Sequence, residues 1–248
     1  MRLGRTAVTV AALLFTQAAA AQSTGPRLRD TNANGWFMYF GDHPVSEKWG
    51  IHLEGQWRRY DVITRWQQLL LRPGVNYELN RSVMFTVGYG YINTWPYGDF
   101  PAADAFPEHR IFQQVLLKHK AGKVDLQHRY RLEQRFIGEV GRREDGSKQI
   151  ESWRYQNRFR YMLRGSIPLR GPWYVGLYDE IFLHFAPNFG PNVFDQNRAY
   201  GALGYNFGRI GRLETGYMNQ LLAQRNGRVL EVNHTLQLGF YSNLPFGR

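Results

Sequence analysis

Apolar and polar residues alternate with a period of two along most of the chain after residue 45, which predicts β-strands. The clearest segment spans residues 124–136, where aromatic and aliphatic side chains share one face and mostly charged side chains share the other. Residues 153–164 and 230–240 repeat this pattern. Weaker alternation places further strands near residues 48–60, 64–79, 82–95, 108–119, 172–185, 193–206 and 209–222, with a short extra candidate over residues 36–41. The chain is therefore predicted to be all-β.

The predicted strands are about 12 residues long, whereas strands of soluble sheets average about 5–6 residues. A tilted strand that crosses a bilayer needs about 9–11 residues. The connections also alternate, with short turns on one side and long loops on the other, as in outer-membrane barrels. The tight turns lie at Asn80-Arg81, Ala121-Gly122, Gly171 and Gly208, and the long connections at residues 96–107, 138–150 and 186–192.

These features predict a closed antiparallel up-and-down transmembrane β-barrel of about 10–12 strands, with the short turns in the periplasm. Counting from residue 48 gives ten strands, and residues 36–41 would form an eleventh element. Bacterial single-chain barrels have even strand numbers. Ten and twelve strands therefore both stay open.

The N-terminus carries an export pattern. An apolar stretch over residues 7–21 follows Arg2 and Arg5 and ends in Ala19-Ala20-Ala21. It is too short for a typical membrane-spanning helix and fits a cleaved signal peptide better than a helical anchor. The expected organisation is a signal peptide over residues 1–21, a flexible segment over 22–33 and a barrel over 34–248.

Export of such a chain leads to the bacterial outer membrane. The expected partners are outer-membrane lipid, lipopolysaccharide and, during insertion, the barrel-assembly machinery. The oligomeric state stays open.

The charge balance is strongly basic, with a formal net charge of +11. Such a balance often indicates nucleic-acid binding, but an exported chain does not meet nucleic acid. The bases are 26 Arg and only 5 Lys. Arginine is favoured where a cation pairs with a carboxylate inside a structure, although a G- and C-rich genome also enriches it. The chain has no cysteine, so packing and hydrogen bonds must hold it together.

Alternation alone does not say which face is inside, because a soluble barrel would enclose its apolar face. Strand length, loop asymmetry and the arginine-rich polar face favour the opposite arrangement, with charges in the lumen. All seven Trp are expected in aromatic girdles at the membrane interfaces. The lumen candidates are Glu54, Arg58, Arg72, Glu78, Arg110, Arg129, Arg131, Glu133, Arg135, Arg154, Arg158, Arg160, Glu180, Arg198, Arg212, Glu214 and Glu231.

Arginine outnumbers the acidic residues in this set, which leaves two interpretations. The charged side chains fill a narrow interior as an ion-pair network, or they line a narrow pore for small anions or acidic oligosaccharides. The first is preferred.

No pattern of an enzyme or metal site stands out. An outer-membrane lipid hydrolase would need a serine beside a histidine, and no serine pairs by strand position with His109 or His128. Glu133 and Glu180 could form a carboxylate pair of the glycosidase kind, but arginine neighbours favour ion pairing. Gly88-Tyr89-Gly90 is expected to make room for bulky neighbours. No catalytic, cofactor-binding or metal-binding residue is predicted.

Several runs resemble one family. They are Glu108-His109-Arg110, the run from His128 to Phe136 (HRYRLEQRF), Arg158-Phe159-Arg160-Tyr161, Asp179-Glu180-Ile181-Phe182 and Phe194-Asp195-Gln196-Asn197-Arg198. Over roughly residues 34–242 the chain is similar to the bacterial proteins of domain-of-unknown-function family 2490. The resemblance implies an outer-membrane β-barrel, implies no activity and supplies no catalytic residues.

Overall fold

A computed structural model describes residues 27–185 and 192–246, and the predicted signal peptide at 1–21 lies outside them. In the described residues eleven strands form one closed barrel. They are β1 Leu28–Pro44, β2 Trp49–Tyr60, β3 Arg65–Asn80, β4 Val83–Thr94, β5 Phe106–Ala121, β6 Val124–Arg142, β7 Lys148–Pro168, β8 Trp173–Phe185, β9 Phe194–Asn206, β10 Arg212–Ala223 and β11 Val229–Ser242. No helix among these residues is long and apolar enough to span a membrane.

Each strand pairs antiparallel with its chain neighbours, but β1 and β11 close the barrel as a parallel pair with Trp36 opposite Gln237. The predicted closed all-β barrel of about 10–12 strands is confirmed, with eleven strands in the described residues and one parallel pair at this seam. An odd number of up-and-down strands cannot close without one parallel pair. As a result, β1 begins at one rim and β11 ends at the other.

The two rims differ. The long-loop end carries the connections at residues 61–64, 95–105, 143–147 and 224–228, and β8 ends and β9 begins there. Most of the predicted loop at 186–192 lies outside the described residues. The short-turn end carries the connections at 45–48, 81–82, 122–123, 169–172 and 207–211.

Strand β1 is longer than the alternation predicted. The barrel begins at Leu28, so residues 28–33 of the expected flexible segment belong to the sheet and the candidate at 36–41 is part of a full strand. The outward positions Arg29, Thr31 and Ala33 offer no apolar row. The inward positions are polar and buried, namely Asp30, Asn32 and Asn34. A strand polar on both faces has no apolar alternation to detect.

The hairpin of β6 and β7 is also longer than the alternation predicted. The expected loop at 138–150 shrinks to residues 143–147, because the two strands stay paired beyond their last pairings with β5 and β8, with Glu139 opposite Ser152. A hairpin that projects into water can be polar on both faces, so apolar alternation does not mark it.

The polar face of the sheet points inward. Arg131 and Glu133 on β6 are buried, whereas their chain neighbours Tyr130 and Leu132 are exposed. Exposed apolar side chains cover the outside on neighbouring strands as well, including Ile51, Leu71, Val75, Phe85, Val87, Ile111, Leu163, Leu177, Leu203, Leu236 and Leu238. The barrel thus has a charged interior and an apolar exterior, the inverse of a soluble barrel.

Aromatic rings mark both ends of the outer surface. Trp49 and Trp173 are exposed at the short-turn end. At the long-loop end Trp66 contacts Trp57 and Trp95, with ring centroids 5.9 and 4.9 Å apart.

Trp36 departs from the girdle prediction. It is only 2% exposed and lies in the lumen, since β1 directs its even-numbered side chains inward over most of its length.

Candidate functional site

A buried ion-pair network lies in the middle of the lumen. Glu133 is fully buried and accepts hydrogen bonds from Arg158 Nη2 and Arg160 Nη1, each at 2.6 Å. Further guanidinium nitrogens lie 3.9 Å from this carboxylate, from Arg72, Arg110 and Arg131. Five guanidinium groups from four strands therefore surround one carboxylate.

The network continues across the barrel. Arg160 bridges Glu133 to Glu180, with its Nη2 2.7 Å from Glu180 Oε1. Arg129 also donates to Glu180 at 2.7 Å. On the other wall Arg72 Nη1 donates to Glu54 Oε2 at 2.6 Å.

Two phenylalanine rings fill the space between the charged groups. The Arg131 guanidinium lies 4.7 Å from the Phe112 ring centroid and that of Arg160 lies 4.3 Å from the Phe182 centroid. Gly88 admits the Phe112 ring, because a Cβ at Gly88 would lie 2.5 Å from it. This layer of ion pairs and rings, from Glu54 to Glu180, is called the waist below.

The buried charges are balanced in number. Eight arginines and eight acidic residues are buried among the described residues. The arginines are Arg58, Arg72, Arg110, Arg131, Arg158, Arg160, Arg164 and Arg198, and the acids are Asp30, Glu54, Glu108, Glu133, Glu180, Asp195, Glu214 and Glu231. The arginine excess expected for the lumen is therefore absent from its most buried part.

Several of the other predicted lumen residues are less deeply buried. Arg129, Arg135 and Arg154 keep 17, 13 and 19% of their side-chain surface exposed. Arg135 shares Glu108 with Arg110, and Arg154 pairs with Glu139. Glu78 is exposed near the short-turn end of β3 and does not join the network.

A cavity of about 700 Å³, called the vestibule below, lies between the waist and the long-loop end. Nine arginines line it against four carboxylates. The arginines are Arg58, Arg72, Arg110, Arg135, Arg154, Arg158, Arg160, Arg198 and Arg225, and the acids are Glu54, Glu108, Asp195 and Glu231.

The connection between β4 and β5 forms part of the vestibule wall. Tyr97 Oη donates to Glu231 Oε2 at 2.8 Å, and the Asp99 amide donates to Asp30 Oδ1 at 3.4 Å. Gly98 lies between them with φ +77°, and a Cβ there would lie 2.5 Å from Asp30 Oδ2. Glycine is required here by both the backbone conformation and the close approach.

A smaller cavity of about 130 Å³ lies on the short-turn side of the waist. Glu214, a predicted lumen residue, is buried at this end and accepts a hydrogen bond from Tyr174 Oη at 2.7 Å. It also pairs with Arg164, which lines the cavity. Arg129 and Arg131 line the same cavity. The two cavities thus lie on opposite sides of the waist and share lining residues such as Glu54 and Arg160.

Two vestibule arginines, Arg58 and Arg198, donate their hydrogen bonds to glutamine amide oxygens, whereas most waist arginines donate to carboxylates. Arg58 donates to the side-chain oxygens of Gln56 and Gln68, and no described carboxylate lies within 4.0 Å of it. Arg198 donates to Gln196 at 3.0 Å, and its nearest carboxylate oxygen, on Glu180, is 4.0 Å away.

Both arginines contact the Trp36 ring, at 3.8 Å for Arg58 and 5.0 Å for Arg198. Strand alternation placed both arginines in the lumen but did not distinguish them from its other charged residues. The glutamines that alternate with them along β2 and β9 are the signal that could have done so.

The histidines considered for chemistry face outward and are paired with tyrosines. His128 Nδ1 lies 2.9 Å from Tyr161 Oη and His234 Nδ1 lies 2.6 Å from Tyr217 Oη. His109 pairs with Tyr89 in the same way. Within residues 27–185 and 192–246, no group of three or more His, Asp and Glu is arranged to hold a metal ion.

Comparison with known proteins gives a family without an assigned activity. The family model described as protein of unknown function DUF2490 matches residues 33–231. An uncharacterised protein of Methylorubrum extorquens strain AM1 is 28% identical over 186 residues, which cover 72% of this chain and 74% of that protein. No solved structure matches the chain. Since the family model covers most of the chain, the protein belongs to the DUF2490 family.

Proposed function

We propose that this protein is a non-catalytic barrel of the bacterial outer membrane whose lumen is closed by the waist. The observation that carries the proposal is the division of side chains, with ionised groups buried inside and aliphatic groups exposed outside. In water this arrangement would leave a large apolar surface unprotected. In a bilayer the same surface is in contact with hydrocarbon, and the closed hydrogen-bonded ladder leaves no open edge.

The aromatic rings at both rims support the same location. Exposed tryptophans lie at the short-turn end (Trp49, Trp173) and the long-loop end (Trp57, Trp66, Trp153). Amphipathic rings favour the two membrane–water interfaces. The strands, of 12 residues or more, are long enough to span the distance between them.

The waist geometry supports a non-catalytic role. Glu133 and Glu180 are both bound to Arg160, which lies between them. Carboxylates held by guanidinium groups stay ionised, so neither is suited to act as a general acid. His109 and His128, the candidate bases, contact tyrosine hydroxyls on the outer surface.

The alternative is a narrow passive channel for small anions or acidic oligosaccharides. The excess of arginine over carboxylate on the vestibule wall favours this alternative. However, an ion would have to displace Phe112, Phe182 and the ion pairs around Glu133. We therefore expect the waist to block conduction in the resting barrel.

Fractionation and planar-bilayer recording test the proposal together. The chain should reach the outer membrane and migrate anomalously on a gel until it is boiled, since a folded barrel resists denaturation by detergent. After reconstitution, with insertion verified by protease protection, it should give no stable current steps. Anion-selective steps would establish the channel instead, and a soluble periplasmic location would overturn both membrane hypotheses.

A further inference from the structure

We infer that the floor of the vestibule is a binding site for a small organic anion, a carboxylate or phosphate group attached to a polyhydroxylated body. The site is formed by Arg58 and Arg198, whose guanidinium groups both lie over the ring of the lumen-facing Trp36. It goes beyond the proposed function, because a barrel closed at its waist needs no ligand in the chamber above.

The partners of the two arginines carry the inference. At the waist, Glu133 satisfies Arg158 and Arg160 directly and cancels their charge. Arg131 is held there by the Gln114 amide but also lies 3.9 Å from Glu133. On the vestibule floor, Gln56 and Gln68 hold Arg58 through amide oxygens. A neutral amide orients a guanidinium and satisfies its N–H groups without cancelling its charge. Arg58 is only 7% exposed, and a buried cation without a counter-charge is costly.

The second arginine has the same surroundings. Arg198 Nη2 donates to Gln196 Oε1 at 3.0 Å, and Gln220 Nε2 donates to the same oxygen at 2.7 Å. The Arg198 guanidinium also lies 4.6 Å from the Phe182 ring centroid. Two positive groups thus face a chamber whose wall also holds Glu54 and Glu231, but no described carboxylate pairs directly with Arg58 and the nearest to Arg198 is 4.0 Å away. A bound anion would supply a direct counter-charge to both.

The rest of the chamber indicates the body of the ligand. The cavity of about 700 Å³ is within the range of sites that enclose small molecules. Its wall combines aromatic rings, including Trp95, Tyr97 and Phe100, with many side-chain amides. Amides donate and accept hydrogen bonds and so suit hydroxyl groups, while rings suit the apolar face of a sugar-like ring. An inorganic anion would leave most of this wall unused.

Calorimetric titration of the folded full-length barrel in detergent tests the site. The probes are glucuronate, glucose 6-phosphate, glucose and sulfate. Glucuronate or glucose 6-phosphate should bind, glucose should not, and sulfate should bind at least about tenfold more weakly than the better sugar acid. Which sugar acid binds better distinguishes a carboxylate from a phosphate ligand.

Two variants and a matched control locate the binding. Arg58→Gln removes the cation, and Gln68→Glu keeps it but adds a carboxylate beside it, so each should weaken binding about tenfold or more. Gln114→Glu is the control, because Gln114 holds Arg131 in the same way on the other side of the waist. It should leave the affinity within about twofold.

Absence of sugar-acid binding, equal binding of sulfate, or unchanged affinity in Gln68→Glu would each overturn the site. None of these results bears on the closed waist, because conductance is measured separately.

Discussion

The partner of each buried arginine differs from one level of the lumen to the next. Arg158 and Arg160 meet carboxylate oxygens at the waist, whereas Arg58 meets amide oxygens in the vestibule. Arginine therefore stabilises the fold through ion pairs at the waist, and it leaves positive charge available in the vestibule.

Replacement of Glu133 should test the locking role. Glu133→Gln leaves the shape almost unchanged but removes the charge shared by Arg158 and Arg160. Loss of one partner from a buried ion pair typically costs about 3–5 kcal/mol, because the remaining charges are left buried without compensation. We expect the free energy of unfolding to fall by about 3–5 kcal/mol. Urea unfolding of the barrel in detergent measures it.

The control for this prediction is Glu139→Gln. Glu139 pairs with Arg154 and Arg225, but its side chain is 43% exposed, so we expect a loss of about 0–1 kcal/mol. Equal losses in the two variants would show that the waist network does not stabilise the fold.

Asp104, in the connection between β4 and β5, should make the long-loop end sensitive to acid. Its carboxylate accepts from Lys148 Nζ at 2.5 Å and lies 3.6 Å from Arg142 Nη2. The hydrogen bond to Lys148 lowers the pKa of Asp104 below the ordinary value of 3.8. The attachment is therefore complete above that ordinary pKa and is lost as pH falls through the lower pKa of the folded state.

Hydrogen exchange of residues 95–105 measures this effect. After correction for the intrinsic rate, exchange should be slow near neutral pH and should rise as pH falls below about 3.8. Asp104→Asn should exchange faster than the parent chain at neutral pH, by no more than about fivefold because Lys148 and Arg142 are more than half exposed, and should show no further rise in acid. A variant as protected as the parent chain at neutral pH would contradict the attachment.

At the scale of elements, the β1–β11 seam decides how the barrel closes. Thr31 and Val232 are Cα partners in the parallel pair and both lie on the outer face. Because these two positions are neighbours, the double variant Thr31→Cys/Val232→Cys should form a disulfide on mild oxidation. The chain has no other cysteine that could compete. The product can be detected as a shift in gel mobility that dithiothreitol reverses.

The pair Thr31→Cys/Leu236→Cys serves as the control. Leu236 lies four residues further along β11, about 13 Å away, which is beyond the reach of a disulfide. Efficient crosslinking of this control, or none in the first pair, would show a different closure of the barrel.

The difficulty of predicting β1 has a physical cause. Alternation identifies a strand only where its two faces meet different surroundings, as for Leu132 and Glu133 on β6. β1 carries Asp30 and Asn32 inside and Arg29 and Thr31 outside. It is a strand because it pairs with β2 and with β11. β11 lies about 200 residues away in the chain, so no local pattern reveals this pairing.

At the scale of the whole molecule, an arginine on the outer surface should interfere with membrane insertion. Val87 is 58% exposed in the middle of β4. Val87→Arg would place a charge against hydrocarbon, at a cost of about 2–4 kcal/mol near the bilayer centre. We expect a smaller heat-modifiable fraction after folding into lipid vesicles.

Glu47→Arg is the matched substitution at a rim. Glu47 is exposed in the turn between β1 and β2, where the cost of an arginine falls to about 0–1 kcal/mol. If both variants fold equally well, the apolar surface does not face lipid. Improved solubility of Val87→Arg would indicate a soluble barrel.

The sequence by itself determined that the chain is all-β, roughly where ten of the strands run, and which residues share a face of a strand. These are local properties, because the period of two follows from the pleat of a single strand. Arg131 and Glu133 can be assigned to one face without knowledge of any other strand.

Only the tertiary structure decided the parallel seam, the lumen position of Trp36 and the partner of each arginine. Arg160 joins Glu133 on β6 to Glu180 on β8, and that choice depends on the register of neighbouring strands and on side chains that meet across the lumen. Closure of the sheet brings together residues that no local pattern relates, and it thereby separates the waist from the vestibule.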